Sequence, residues 1–451
     1  WQLAGKPDWQ YDEGVYTLVG RNLLQQGTLN EHIALGAPWT PFLYQPMWYF
    51  LVLSRWFAVV GPSVYHARIL GVVCSLGTLM LLFRLRWRIH GARMALAAVL
   101  PVIFDGWLLY IQRISYMENM LLLLVTAAML CYQRALDRPS WQRFALAGAV
   151  LGFTACFKFT GVYLIPAVLL CWLILRRAHK GHFILLGAAL LVIIADQAIM
   201  VSLFDAGRHD WYIQENLVQI RRVLGLQQSG GTLTNPLQAV HLLAAQYAVF
   251  VPSFLIALVS FLLAVRRLWT CYRDRSWARL QPNALLFSWM AAGIVVFGLS
   301  SLRFPQYFAL ILVPMYCYLW TEVWQWDRVT WKKAAVACTA VAAGLASFWL
   351  RVPSRTDNAF AEVTAYATRQ IPAHSVVVTE EAIGDLISQP YCRVEEATAC
   401  AGHAEYAITW KTYLQSSFQL GDAAFLQMMH GAVQVRQFSG FSGTATVWRL
   451  R

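Results

Sequence analysis

The sequence predicts a mainly α, polytopic membrane protein with a small α/β domain at its C-terminal end, and three observations carry that prediction. The chain of 451 residues is 58% hydrophobic and only 13% charged, with a mean hydropathy of +0.48, far from a soluble globular average. Its apolar residues gather in runs long enough to cross about 30 Å of hydrocarbon, at 66–83, 94–111, 117–133, 160–177, 183–204, 237–265, 284–302, 306–325 and 334–350, with a shorter one at 143–157. Beyond residue 351 these long runs give way to short segments with α/β punctuation.

The charge pattern orients the runs. The net charge of +13 is carried by Lys and Arg in short connectors, at 84–93, 134–143, 176–182, 266–279 and 327–333, rather than on one soluble face. Short basic connectors mark the cytoplasmic side of membrane spans, so the bilayer is a partner and nucleic acid is not. Alternation places all five on one side only if 143–157 crosses and 46–60 does not. The latter is short and aromatic (Met47, Trp48, Tyr49, Phe50) and carries Arg55, as a helix lying along the interface would. Ten spans follow for this chain, with both ends outside. The sequence opens on Trp1 with no anchor ahead of the first loop, so a further helix is expected upstream.

This layout divides the chain into an outer loop at 1–65 with interfacial helices, a transmembrane helical domain at 66–351 and a soluble extracytoplasmic α/β domain at 352–451. The outward segments each hold ionisable side chains near the apolar boundary: Asp12 and Glu13, Arg113 and Glu118, Lys158, Arg221 and Arg222, and Arg303. A carboxylate at membrane depth is expensive and marks a functional site by default; for the acidic pair taken alone, a solvated loop is the equal alternative. Charges gathered on one face suggest a single site.

In the tail, 358–370, 380–388 and 422–429 read as helices. Segments 375–379, 406–410, 432–438 and 444–450 read as strands, the last two closing a hairpin through 439–443. Seven of the nine cysteines lie within or beside predicted spans as packing residues. Cys392 and Cys400 both fall in the outward tail, where an oxidising compartment favours a disulfide.

Asp12-Glu13 followed by Gly14-Val15-Tyr16, then Gly27, then Tyr44-Gln45-Pro46-Met47-Trp48-Tyr49, resembles the first outer loop of the GT-C fold membrane glycosyltransferases. The likeness is greatest to the branch with protein O-mannosyltransferases and lipid A aminoarabinose transferases. It extends through Gly61, Arg68, the 113–118 hairpin and 158–161, which is the first third of the chain; the rest matches in its hydropathy layout. Many relatives carry Lys-Pro-Pro or His-Pro-Pro where this chain has Tyr44-Gln45-Pro46.

The resemblance implies an inverting hexosyl- or pentosyltransferase that moves a sugar from a polyprenyl-phosphate donor to a glycan, lipid or protein acceptor. It would work in cell-envelope glycan biosynthesis on the outer side of a bacterial plasma membrane. Such a reaction needs a base to take the acceptor's proton and cations to stabilise the departing phosphate. By resemblance, Asp12 is the general base, Glu13 supports it or orients the acceptor, and Glu118 contacts the acceptor or a metal. Lys158 and Arg303, with Arg221 and Arg222 in a loop long enough to fold over a head group, bind the lipid phosphate. Tyr11, Tyr16, Tyr44 and Arg113 contact acceptor or sugar. The resemblance fixes no cofactor and leaves a divalent metal open, since relatives differ on metal use and an acidic pair serves a base-only site as well as a metal site.

Each residue also has a plainer reading. Glu118 forms an ion pair with Arg113, Arg303 snorkels from a helix end, Arg221 and Arg222 are solvated, and the tyrosines are interfacial anchors. His32 and His66 pack or hydrogen-bond. The competing function is a secondary transporter or lipid flippase with a soluble cap, which would place charges at mid-membrane beside broken half-helices; Asp105 and Asp196 are almost the only acids inside predicted spans. A non-catalytic subunit for polysaccharide assembly is a third reading.

Overall fold

The structure, a computed structural model, describes residues 11–29, 46–175, 180–203, 213–214, 217–221, 250–276, 280–281, 283–299, 305–324, 342, 346, 359–379, 381–384, 387–394, 400, 402–412, 423–439 and 443–450. The chain enters through α1 (Tyr11–Gln26) and α2 (Trp48–Val60). The two pack together through Val15, Tyr16 and Val19 of α1 and Tyr49, Phe50, Leu53 and Phe57 of α2, all buried. The Tyr16 ring meets Tyr49 edge-on at 5.6 Å and Phe50 at 5.7 Å. With 13 residues, α2 is about 20 Å long and falls short of a bilayer's hydrocarbon. Its aromatic side is sunk in protein rather than laid on an open surface.

Helix α3 (Val64–His90) starts where Ser63 accepts a hydrogen bond from the His66 N–H at 3.1 Å, the satisfied N-cap that lets a helix begin sharply. The apolar run at 94–111 reads as a single span, but the structure breaks it into α4 (Ala92–Phe104) and α5 (Gly106–Gln112), bent by 71°. Asp105 is the cause: its carboxylate accepts from the Leu108 N–H at 2.8 Å and caps α5 as a new helix. The same carboxyl group accepts from the hydroxyls of Ser253 and Tyr316, so a polar side chain that hydropathy averages away is satisfied by donors inside the bundle.

Helices α6 (Met117–Asp137), α7 (Trp141–Phe157), α8 (Leu164–Leu175) and α9 (Gly181–Leu203) follow, a 3-10 turn at Phe159–Tyr163 leading into α8. The close approach of α7 to α9 rests on Gly148 and Gly152, where a Cβ would come within 2.1 Å of the Leu185 carbonyl oxygen and 2.5 Å of that of Ala189. This is the small-xxx-small contact by which membrane helices gain van der Waals surface. Helices α10 (Phe250–Arg273), α11 (Ala284–Leu299) and α12 (Phe308–Trp324) complete the described bundle.

Among the described residues, four helices are long and apolar enough to cross a membrane, Val64–Arg88, Met117–Asp137, Gly181–Met200 and Ser253–Arg273; the bent α4–α5 pair makes a fifth if taken as one broken span. Exposed Phe183, Leu190, Leu191 and Ile194 on α9, and Leu255 and Leu262 on α10, give these helices an apolar outer face suited to acyl chains. The predicted run at 334–350 lies outside the described residues except at positions 342 and 346.

The C-terminal region forms a five-stranded mixed sheet in the order β2-β1-β3-β5-β4. Its elements are α13 (Ala359–Gln370), β1 (Val376–Thr379), α14 (Glu381–Gly384), β2 (Tyr391–Arg393), β3 (Ala404–Thr412), α15 (Ala423–Met429), β4 (Val433–Ser439) and β5 (Gly443–Arg449). Strand β1 pairs in parallel with β2 and β3, while β3–β5 and β4–β5 are antiparallel. The valine run of β1 is buried on both faces, as a central parallel strand demands. Val377 joins the large core shared with the helices; Val376 and Val378 face a second cluster with Cys392, Cys400 and Phe425. Cys392 and Cys400 are joined by a disulfide, with Cα atoms 6.6 Å apart. Helix α14 packs on α1, which seats the sheet at the end of the bundle that holds Glu13.

Candidate active site

Glu13 lies in the first turn of α1, where a carboxylate complements the helix dipole. It is fully buried and receives a two-pronged hydrogen bond from Arg68 of α3, Nε to Oε1 at 2.8 Å and Nη2 to Oε2 at 2.7 Å. The Ser115 N–H adds a third donor to Oε1 at 2.8 Å. A buried carboxylate is tolerated only with such a set of partners. The Ser115 carbonyl in turn accepts from the Tyr49 hydroxyl at 3.0 Å. Burial first, and nearby Cys74, Glu13 and Glu118 after it, hold the Tyr49 phenol well above its ordinary pKa, so it stays a neutral donor. Ser115 thus ties α1 to α2, and Glu13 carries the tie on to Arg68 of α3.

The same hairpin, between α5 and α6, carries a second buried pair. Glu118, in the first turn of α6, accepts from Lys158 Nζ at 2.8 Å, the two side chains being 2% and 4% exposed. Lys158 caps the C-terminal end of α7 ahead of the 3-10 turn, and its ammonium sits 5.4 Å from the centre of the Tyr307 ring, within cation–π range. Asn119 closes the hairpin by donating to the carbonyls of Ile111 at 3.1 Å and Ile114 at 2.8 Å, groups that the end of α5 leaves exposed.

The structure therefore brings Glu13, Glu118, Lys158 and the 113–118 hairpin into one buried polar assembly. Glu118 pairs with Lys158, a residue 40 positions away, and not with Arg113, the neighbour that sequence proximity suggests. Arg113 is half-buried in the turn after α5; burial, then the nearby Arg68, lowers its pKa from the usual arginine value. Tyr16 is buried against Tyr49 and Phe50, which leaves its ring no open face for a sugar. Arg221 is exposed on the helical segment 217–221. Asp12 and Tyr11 belong to the backbone of α1, immediately before Glu13, with side chains outside the described set; Tyr44, Arg222, Arg303 and His32 lie outside the described residues altogether.

Arg68, Tyr49, Ser115, Asn119 and Tyr307 enter the site without having been assigned a role from sequence. Arg68 had a readable signal: an arginine in the opening turns of an apolar helix, at membrane depth, needs an anionic partner. Ser115 acts through its backbone and had none. His66 has a structural explanation, its Nδ1 donating to the Gly61 carbonyl at 2.7 Å. Asp196 accepts from Trp48 Nε1 at 2.6 Å and ties α9 to α2. Among the described residues, no group of three or more His, Cys, Asp or Glu side chains is placed to hold a metal ion.

Residues 44–200, which run from the approach to α2 into α9, match the family model described as dolichyl-phosphate-mannose-protein mannosyltransferase. In structure, the chain is similar to ArnT from Cupriavidus metallidurans bound to undecaprenyl phosphate, at 12% identity and a TM-score of 0.66, covering 99% of this chain and 95% of that one. The apo form of ArnT gives 0.61 at 12% identity, with 98% and 93% covered. The oligosaccharyltransferase of Archaeoglobus fulgidus, tethered to an acceptor peptide, gives 0.51 at 12% identity, with 90% of this chain and 66% of that one covered. No curated protein matches the chain. The matched segment holds Arg68, Ser115, Glu118 and Lys158, and the chain has the GT-C membrane fold.

Proposed function

We propose that this chain, built on the GT-C fold, is an inverting glycosyltransferase that moves a sugar from a polyprenyl-phosphate donor to a hydroxyl-bearing acceptor on the outer side of a bacterial plasma membrane. The observation that carries the reading is the pair of buried carboxylate–cation contacts, Glu13–Arg68 and Glu118–Lys158, both anchored on the 113–118 hairpin. Its setting, in a segment that matches mannosyltransferases of lipid-phosphate donors and in a fold shared with an undecaprenyl-phosphate-binding protein, supports the choice of donor.

In this reading Asp12 is the base. The acceptor oxygen attacks the anomeric carbon, Asp12 takes its proton, and the bond from that carbon to the phosphate oxygen breaks with the electron pair leaving on the lipid phosphate. Glu13, locked to Arg68, fixes the first turn of α1 and with it the adjacent Asp12. Lys158 faces the leaving phosphate, joined by Arg303 and, over the head group, by Arg221 and Arg222; Glu118 holds the Lys158 ammonium in place. The acceptor, whether glycan, lipid or protein, approaches from the face on which the sheet region sits, and 352–451 folds there as an extracytoplasmic domain with its disulfide formed in an oxidising compartment.

The test is to incubate the purified, reconstituted protein with a panel of undecaprenyl-phosphate sugars and follow which donor is consumed. One donor is expected to turn over with wild type and not with D12N. No consumption of any donor, together with lipid flux across liposomes, would overturn the enzyme in favour of the transporter.

A further inference from the structure

Helices α3, α6 and α7 each carry a residue of the candidate site at one end and arginines at the other. Arg68 and Arg88 stand 20 residues apart on α3, Glu118 and Arg134 16 apart on α6, and Arg143 and Lys158 mark the two ends of α7 over 15. At 1.5 Å per residue these separations are roughly 22 to 30 Å, close to the thickness of the hydrocarbon core. The far ends converge. Arg88, Arg134, Arg138 and Arg143 line a cleft of about 290 Å³ between the three helices.

The cleft is short of negative charge. Asp137 is its acidic neighbour, and both oxygens are taken: Oδ2 by Arg88, from Nε at 3.2 Å and Nη2 at 3.1 Å, and Oδ1 by Gln133 Nε2 at 2.7 Å. Arg143, also in the lining, donates Nη1 to the Arg138 carbonyl at 2.6 Å. The guanidinium groups of Arg134 and Arg138 have no carboxylate partner among the described residues. Four guanidinium groups around one satisfied carboxylate leave an excess of three positive charges, arranged as forks suited to phosphate oxygens. Trp141, 65% exposed at the start of α7, and Trp87, with Arg84 5.2 Å from its ring centre, flank this end as side chains of the membrane–water interface do.

We propose that this cleft binds the phosphate of an anionic phospholipid headgroup in the leaflet opposite the candidate active site. The shared chemistry is a phosphate anion; the flanking indoles and the position at a helix end, level with a bilayer surface, favour the lipid over a free phosphate.

The full chain is placed in phosphatidylcholine nanodiscs with a minor fraction of phosphatidylglycerol, and lipid retention is read by native mass spectrometry after release. Wild type is expected to retain phosphatidylglycerol. R134Q/R138Q, both at exposed positions, is expected to lower apparent affinity on the order of tenfold. The charge-matched R93Q/R266Q, at exposed positions outside the cleft, is expected to retain it; R138Q alone serves if the double variant does not fold. Equal retention by wild type and R134Q/R138Q overturns the proposal, as does an equal loss in R93Q/R266Q, which reduces the effect to diffuse charge. A separate arm titrates inorganic phosphate into protein in pure phosphatidylcholine: phosphate binding lost in R134Q/R138Q, with no phosphatidylglycerol retained by wild type, overturns the lipid and assigns the cleft to a free phosphate.

Discussion

Glu118 and Lys158 meet as a nearly solvent-free ion pair, Oε1 to Nζ at 2.8 Å, joining the first turn of α6 to the end of α7. Neither charge has bulk water to fall back on, so stability and function must be separated by changing both. K158M alone is expected to cost about 3–5 kcal/mol, because it strands a buried carboxylate. E118Q/K158M should recover much of that loss in thermal unfolding while sugar transfer stays absent. A double variant as unstable as the sum of the single ones would show that the pair acts through its surroundings rather than through mutual neutralisation.

Glu13 and Asp12 are adjacent and are predicted to fail differently. E13Q weakens the two-pronged contact to Arg68, and its cost should appear mainly in unfolding temperature. D12N should leave unfolding unchanged and reduce kcat by roughly 10²-fold or more, the loss of a general base. Parallel measurement of unfolding and turnover distinguishes them; a D12N protein with normal kcat removes the assigned base.

The Arg68 contact depends on shape as well as charge. R68K keeps the positive charge but cannot supply parallel donors to both oxygens of Glu13. A loss of about 1–3 kcal/mol is expected by thermal unfolding, with slower turnover as the first turn of α1 loosens. Wild-type behaviour of R68K would mean that Coulomb attraction alone suffices.

Gly148 is predicted to accept no side chain. G148A brings a Cβ against the Leu185 carbonyl and must push α9 away from α7, at a cost of about 1–3 kcal/mol. Because Asp196 on α9 receives the Trp48 indole, Trp48 fluorescence should shift in the same variant. An unshifted spectrum with unchanged stability would refute the tight α7–α9 contact.

The Cys392–Cys400 bridge closes a short loop, eight positions in separation. Chain-entropy arguments give it about 2.5 kcal/mol, so C392S/C400S should make the sheet region more sensitive to limited proteolysis, with reductant reproducing the effect on wild type. Equal protease sensitivity in both states would make the bridge dispensable.

Much of this architecture was legible in the sequence, and the exceptions have physical causes. Segments 375–379, 432–438 and 444–450 announced strands by β-branched and alternating residues, and each lies within a residue of β1, β4 or β5. β2 escaped because three residues carry no period. The 94–111 run read as one span because a hydropathy average cannot register that a single aspartate, once given hydroxyl partners from Ser253 and Tyr316, starts a new helix. The acidic and basic site residues were visible as types in apolar surroundings, yet their pairing was not. Arg113 is five positions from Glu118 and Lys158 is 40, and only the folded arrangement of α6 and α7 reverses that order.

The 71° bend at Asp105 has a mechanical consequence. It makes α5 a seven-residue strut that runs straight into the 113–118 hairpin. Ser115 in that hairpin meets Glu13 and Tyr49, and Glu118 at its far end meets Lys158, so both ion pairs lean on the same short support. The site has one brace where its charge distribution suggests two independent clamps.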